Sequence, residues 1–260
     1  MTSKREPTDA DCTAPWTNND EAGRLLRLLS KGELTLRGLM PWSSNYTFLG
    51  RVSDETATQE VVYKPIRGER PLWDFPKGTL AKREVAAFVV CHALGWGFVP
   101  PTVLRNGPHG RGSVQVYVEV DVDEHFFTFR DAPRHRRSLQ ALALFDIITN
   151  NADRKGGHCL CTDDGCIIAI DQGLCFHVEP KLRTVIWDFA GQPIPADLRF
   201  SIARLADELD DPDSETVQAL RALLFEGEIT ALRQRTRDLV MAECFPDPPE
   251  DRRPYPWPLV

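Results

Sequence analysis

The chain has 260 residues, 42% hydrophobic and 27% charged, a composition that excludes wholesale disorder, collagen and coiled coil and suits one large domain or two lobes sharing a cleft. Its 31 basic and 38 acidic residues give a net charge of -7, so no global basic field holds a nucleic-acid backbone and nucleic acid is excluded as a partner. The longest apolar run, Val85 to Val99, carries His92 and two glycines and falls short of the roughly 20 residues of a membrane-spanning helix.

Residues 1–18 are polar and aperiodic and read as a mobile tail with no secretory apolar stretch; the seven cysteines, an odd number, fit free thiols, and together these features point to the cytoplasm. Order begins with DEAGRLLRLLSKG (20–32), whose leucines recur at helical spacing before a glycine stop. Three β-prone segments follow, at 33–40, 46–53 and 60–66, separated by PWSSN and DETATQ as in an antiparallel meander. An irregular stretch with Pro71, Pro76 and Gly78 leads to a helix from Thr79, its expected N-cap, to Gly95. The segment VPPTVLRNGPHGRGSVQVYVEV adds two strands around a glycine-rich turn. This first half, five strands and one main helix, ends near Val120.

The second half is mostly helical. RRSLQALALFDIITN (136–150) is apolar on nearly every face and predicts a buried helix, followed by the loop NADRKGGH. CLC-TDDG-CIIAID predicts a hairpin ending at Asp171, and three helical patterns follow an irregular stretch before residues 246–260, which read as a proline-rich tail. Strands early and helices late define an α+β class with segregated halves.

Four elements of this layout, in order, match what phosphoryl transfer from ATP requires: clamped phosphates, a held divalent metal and an oriented hydroxyl. Lys64 ends a strand, and Glu84, in the next helix, can hold its ammonium while it grips phosphates. Asp153, in the loop after a buried helix, is placed to accept a proton from an acceptor hydroxyl, with Lys155 two residues on to meet the transferring phosphate. His158 stands where kinases commonly place a metal-binding asparagine, and Asp171 offers hard oxygens to magnesium.

The segments FDIITNNADRKGGH and AIDQGLCF resemble the catalytic and metal loops of the phosphatidylinositol 3- and 4-kinase superfamily, a logic shared with HipA-like kinases. YKPIRGERPLWDFPKGTLAKREVAAF, NNADRKGGH and EPKLRTVIWDF more closely resemble a chiefly actinobacterial family assigned to that superfamily, over about Leu34 to Ala196. The resemblance implies a two-lobed protein-kinase-like fold with ATP in the cleft and magnesium as cofactor, over residues 19–245 (N-lobe 19–120, C-lobe 121–245). It makes Lys64 the phosphate lysine, Glu84 its partner, Asp153 the base and Asp171 the metal ligand, acting on a hydroxyl acceptor of lipid, protein or small-molecule class. Two positions depart from the lipid kinases, which usually carry histidine where Lys155 stands and asparagine where His158 stands. PWSSN lacks the three glycines of a protein-kinase loop, although Ser43, Ser44 and Asn45 can offer donors to phosphate.

Because imidazole favours softer metals than magnesium, a pseudokinase that binds nucleotide without transferring phosphate is the rival reading. A second rival is a zinc-bound interaction domain built on His158, Cys159, Cys161, Cys166, Cys175 and His177, although no Cys-x-x-Cys knuckle is present and buried core cysteines account for the set more simply. RGERPLWDFPK (67–77) reads equally as a flap over phosphates or as a loop sealed to the core by its aromatics. Lys181 and Arg183 sit where a kinase activation segment would meet an anionic acceptor, though two loop cations are more often simply solvated. Asp146, in an apolar helix, is expected to cap the amides of the loop after it.

Overall fold

The computed structural model describes residues 14–40 and 45–260. Helix α1 (Asn19–Lys31) starts where the Asn18 side chain accepts a hydrogen bond from Asp20 N, and it buries Leu25, Leu28 and Leu29 along one face. Of the 1–18 segment expected as a tail, the described residues 14–18 lie against the fold. Trp16 is only 6% exposed and its indole Nε1 donates to the Gly97 carbonyl at 2.6 Å, so one aromatic ring pins the segment.

Strands β1 (Glu33–Leu39), β2 (Phe48–Ser53), β3 (Thr58–Pro65), β4 (Thr102–Gly107) and β5 (Gly110–Val116) form one antiparallel sheet in the order β1-β2-β3-β5-β4. The two-residue period of β3 sorts its side chains. Val61 and Tyr63 are buried in a cluster with Leu25, Leu28 and Leu29 of α1, while Val62 and Lys64 line the cleft on the opposite face. Gly112 sits opposite Pro65, and a Cβ there would lie 2.4 Å from the Lys64 carbonyl, so only glycine lets β5 run this close to the end of β3.

Helix α2 (Leu80–Leu94) is apolar nearly all round because it is covered on nearly all sides: it packs on β4 and β5 and also on the helices of the second half. Gly95 ends it in the left-handed conformation (φ 73°), which glycine adopts without strain. Thr79 does not cap it as expected. The Thr79 hydroxyl donates instead to the Pro76 carbonyl, and the Glu69 carboxylate, from the loop after β3, accepts the Ala81 N–H at 2.9 Å. A negative group at a helix N-terminus is favourable, and the loop supplies it.

The second half comprises α3 (Phe126–Phe129), α4 (Arg136–Thr149), the hairpin β6 (Cys159–Cys161) and β7 (Ile167–Ala169), then α5 (Ala196–Asp210), α6 (Glu215–Arg221) and α7 (Glu226–Met241). Its core contains Ala86, Ala87, Val90 and Leu94 of α2 together with Leu142, Phe145 and Ile148 of α4 and Ile202, Leu205 and Leu232 of the later helices. A buried Arg83–Glu228 ion pair ties α2 to α7, and Arg83 Nη1 also donates to the Cys175 carbonyl at 2.5 Å. The proline-rich segment is fixed to this half: the Pro254 carbonyl accepts from Thr184 N at 3.0 Å and Trp187 Nε1 at 3.2 Å, and the Leu259 carbonyl accepts from Gly156 N at 2.7 Å. Prolines lack donors but keep their carbonyls, so such a stretch can satisfy N–H groups of a neighbouring loop. The architecture is α+β, with a sheet-based half and a helical half meeting at a cleft.

Candidate active site

Lys64 is brought to the cleft by strand period, and two carboxylates meet it there. Its Nζ donates to Glu84 Oε1 at 2.5 Å and to Asp171 Oδ1 at 2.9 Å. The other Glu84 oxygen, Oε2, accepts from Gln172 N at 2.9 Å, so one carboxylate fixes both the lysine and the backbone beside Asp171. Burial works against the Lys64 charge, but Asp171 and Glu84 outweigh it and hold the ammonium above its ordinary pKa. The Lys64 ammonium in turn holds Asp171 well below the usual carboxylate range, against the effect of burial.

Asp171 does not end the hairpin as expected, since β7 stops at Ala169 and Asp171 lies in the left-handed region at φ 61°. A non-glycine residue seldom adopts that conformation, and among the described residues it is one of three, with Asn150 (φ 53°) and Phe176 (φ 66°). Asn150 is the C-cap of α4; its side chain donates to the His177 and Glu179 carbonyls and accepts from Lys181 N, joining the loop after α4 to the segment after Asp171.

Asp153 is held by its neighbours in the chain. Its N–H donates to Asn151 Oδ1 at 2.9 Å. The next residue, Arg154, is fully buried, with its guanidinium paired to Asp146 at 3.0 Å and also donating to the Ile170 carbonyl and Gln172 Oε1. Asp146 accepts as well from the Asn151 side chain and the Thr184 hydroxyl. The expectation that Asp146 caps loop amides is therefore corrected: its carboxylate holds side chains, because a buried guanidinium needs an anion more than an amide does. Lys155 Nζ lies 3.3 Å from Asp153 Oδ2. Burial raises the Asp153 pKa, with Lys155 opposing.

His158 Nδ1 lies 3.0 Å from the Asp153 carbonyl and Nε2 lies 3.5 Å from Asp171 Oδ2. Burial, helped by the nearby Arg154, Lys155 and Lys64 charges and opposed by Asp171, lowers its pKa to about 4, so the ring is neutral at pH 7. Lys64, Glu84, Asp153, Lys155, His158 and Asp171 all line one cavity of about 660 Å³, with Val62, Tyr117, Ile170 and Leu174 among its apolar wall. That size is in the range of small-molecule sites.

The remaining expected site residues fall differently. Ser43 and Ser44 lie outside the described residues. Asn45 lines the cavity, but its Oδ1 already accepts from Arg70 N at 2.8 Å. The 67–77 loop divides between its two expected roles: Glu69, Arg70 and Leu72 line the cavity, whereas Phe75 is buried under the Arg83 guanidinium and against His177. Trp73 is 92% exposed and stands beside Lys181, whose side chain is only 10% exposed and pairs with Asp74 at 3.1 Å. Lys181 is thus neither solvated nor turned to an acceptor; it locks the loop after β3 to the segment after Asp171.

The residues that the sequence reading left unassigned are Asn151, Arg154, Gln172 and Thr184, which hold the two loops together. An arginine in a polar loop reads as solvated, and the one available signal was an aspartate inside an apolar helix.

Magnesium uses few protein ligands and takes phosphate and water for the rest, and the Asp171 carboxylate with the neutral His158 nitrogen offers it an oxygen and a nitrogen. Among the described residues no group of three or more His, Cys, Asp or Glu is placed to hold a metal. The cysteines are dispersed: Cys159 Sγ faces the Lys155 carbonyl, Cys161 Sγ faces His135, and Cys175 Sγ faces Gln172. Burial pushes the Cys159 and Cys175 thiols up to about 12, so they are protonated at pH 7. Cys91, Cys159, Cys161, Cys175 and Cys244 are free thiols, and Cys166 is disulfide-bonded, unlike the free thiols expected throughout. No described helix is long and apolar enough to cross a membrane.

Solved structures of kinases share this architecture. The hydra Fam20 structure with sugar matches with a TM-score of 0.55 at 16% identity, over 86% of this chain and 89% of that one. The Golgi casein kinase with Mn/ADP bound matches with a TM-score of 0.54 at 16% identity, over 94% and 81%. The Helicobacter pylori proinflammatory kinase CtkA matches with a TM-score of 0.51 at 11% identity, over 83% and 94%. The chain has the two-lobed fold of atypical kinases. It belongs to the family of Protein Rv2133c of Mycobacterium tuberculosis, with which it is 41% identical over 264 residues, 89% of this chain and 94% of that protein. Phosphatidylinositol 4-kinase gamma 4 of Oryza sativa subsp. japonica is 35% identical over 127 residues, 42% of this chain and 22% of the rice protein. No protein-family model matches.

Proposed function

We propose that the chain is an ATP- and divalent-metal-dependent phosphotransferase of the phosphatidylinositol 3- and 4-kinase kind, moving the γ-phosphate to a hydroxyl acceptor. The observation that carries this reading is the convergence of Lys64, Glu84 and Asp171 on one side of the cleft with Asp153 and Lys155 lining the same cavity. Lys64, oriented by Glu84, anchors nucleotide phosphates, and Lys155 meets the transferring group. Asp153 accepts the proton of the attacking hydroxyl as its oxygen bonds to the γ-phosphorus and the bond to the β,γ-bridging oxygen breaks, releasing ADP. Asp171 and His158 would hold the metal, which neutralises phosphate charge when bound. The fold likeness and the partial match to the rice lipid kinase support this reading.

The test is transfer of label from γ-labelled ATP, to the chain itself or to an acceptor, in the presence of divalent metal. Metal-dependent labelling that is lost in Asp171→Asn supports the proposal; identical labelling by both proteins, or with the metal chelated, overturns it. The pseudokinase reading rests on His158 and predicts ATP-dependent thermal stabilisation without turnover.

A pH profile tests the base. Asp153 must be ionised to accept a proton, and its pKa is raised by burial against the pull of Lys155. The rate should therefore rise with pH through a limb above the ordinary aspartate value. Lys155→Met removes the opposing pull and should move that limb to higher pH; a limb that stays or moves down contradicts the assignment.

A further inference from the structure

His158 is locked by its surroundings into one orientation. Its Nδ1 lies 3.0 Å from the Asp153 carbonyl, and a carbonyl only accepts, so in the neutral ring Nδ1 carries the hydrogen and Nε2 presents a lone pair. That lone pair faces Asp171 Oδ2 at 3.5 Å. Lys64 occupies the other oxygen, Oδ1. Two acceptors facing each other have no hydrogen to share, but their separation is less than twice a metal–ligand bond of about 2.1 Å, so one cation can reach both. A ligating histidine that donates its second ring N–H to a backbone carbonyl is the usual outer-shell arrangement at metal sites, and this one ties the metal pair to the backbone of the base.

Donor chemistry then selects the ion. Oxygen-only sites suit magnesium and manganese alike, while an imidazole nitrogen adds affinity along the first-row transition series, least for Mn²⁺, and adds little for magnesium, which sheds its waters reluctantly. We infer that the Asp171–His158 pair takes a first-row transition-metal ion, represented by Mn²⁺, in preference to Mg²⁺ with the bound nucleotide, and that His158 sets this preference. The inference rests on the phosphotransferase reading and specifies its metal.

The test uses the full chain stripped of metal with a chelator, then titrated with a nonhydrolysable ATP analogue at matched free Mn²⁺ or Mg²⁺. Binding is read by calorimetry and by loss of the free Mn²⁺ electron paramagnetic resonance signal. Because the analogue itself discriminates between the two ions, the readout is the Mn²⁺/Mg²⁺ affinity ratio in the wild type divided by that in His158→Asn. The expected value is about tenfold or more, the scale on which even the outer partners of metal ligands matter. His158→Gln, checked for an unchanged melting temperature without ligand, guards against a folding defect. A ratio near one, with the same metal preference in wild type and variants, overturns the inference and leaves the phosphotransferase reading standing. Absence of analogue binding with either metal overturns both.

Discussion

Asp153→Asn is expected to lower turnover by about 100- to 10,000-fold, the range that general-base catalysis contributes, while nucleotide affinity stays unchanged. Asn is nearly the same size, still lets Asn151 accept the backbone N–H of residue 153, and removes only the proton acceptor and the charge facing Lys155. Asp171→Asn separates from it by a different signature. Asp171 is the largest favourable influence on the Lys64 charge and half of the proposed metal pair, so its loss should remove the metal-dependent part of nucleotide affinity as well as turnover. Equilibrium titration with an ATP analogue, beside single-turnover rates, distinguishes the two. Equal loss of affinity in both variants would contradict the division of labour between the two aspartates.

Asp146→Ala should destabilise the fold by about 3–5 kcal/mol, as expected when one member of a buried ion pair is removed. The Arg154 guanidinium would remain fully buried without its anion, and the Asn151 side chain and Thr184 hydroxyl would each lose an acceptor. Against a typical total stability of about 5–15 kcal/mol this is a large fraction. Urea unfolding measures it. Replacing both partners by apolar residues, Asp146→Leu with Arg154→Met, should cost less than the sum of the single changes, because no charge is then stranded. A loss below about 1 kcal/mol for Asp146→Ala, the scale of an exposed pair, would show that the network does not hold these loops.

Local pattern carried much of the layout. The alternation along β3 turned Lys64 to the opposite face from Val61 and Tyr63, the apolar run of α2 carried Glu84 into the interior, and the asparagine-rich loop after α4 marked the place of Asp153. What was not legible depends on partners remote in sequence. Arg154 has the composition of a loop cation, and only Asp146, Gln172 and the Ile170 carbonyl make it a buried strut. Glu69 became the cap of α2 because the 67–77 loop folds back, and Trp16 found its acceptor 81 residues away. Lys181 looked like a free loop cation until Asp74 and Trp73 closed around it. Prolines between 246 and 260 suggested a loose end, yet backbone carbonyls at Pro254 and Leu259 satisfy Thr184, Trp187 and Gly156.

The decisive measurement is a crystal structure of the chain with a nonhydrolysable ATP analogue and a divalent metal. The triphosphate is expected in the cleft, with Lys64 Nζ in contact with a phosphate oxygen, Asp171 on the metal and Asp153 facing the terminal phosphate. An analogue bound elsewhere, with Lys64 still joined only to Glu84 and Asp171, would contradict it.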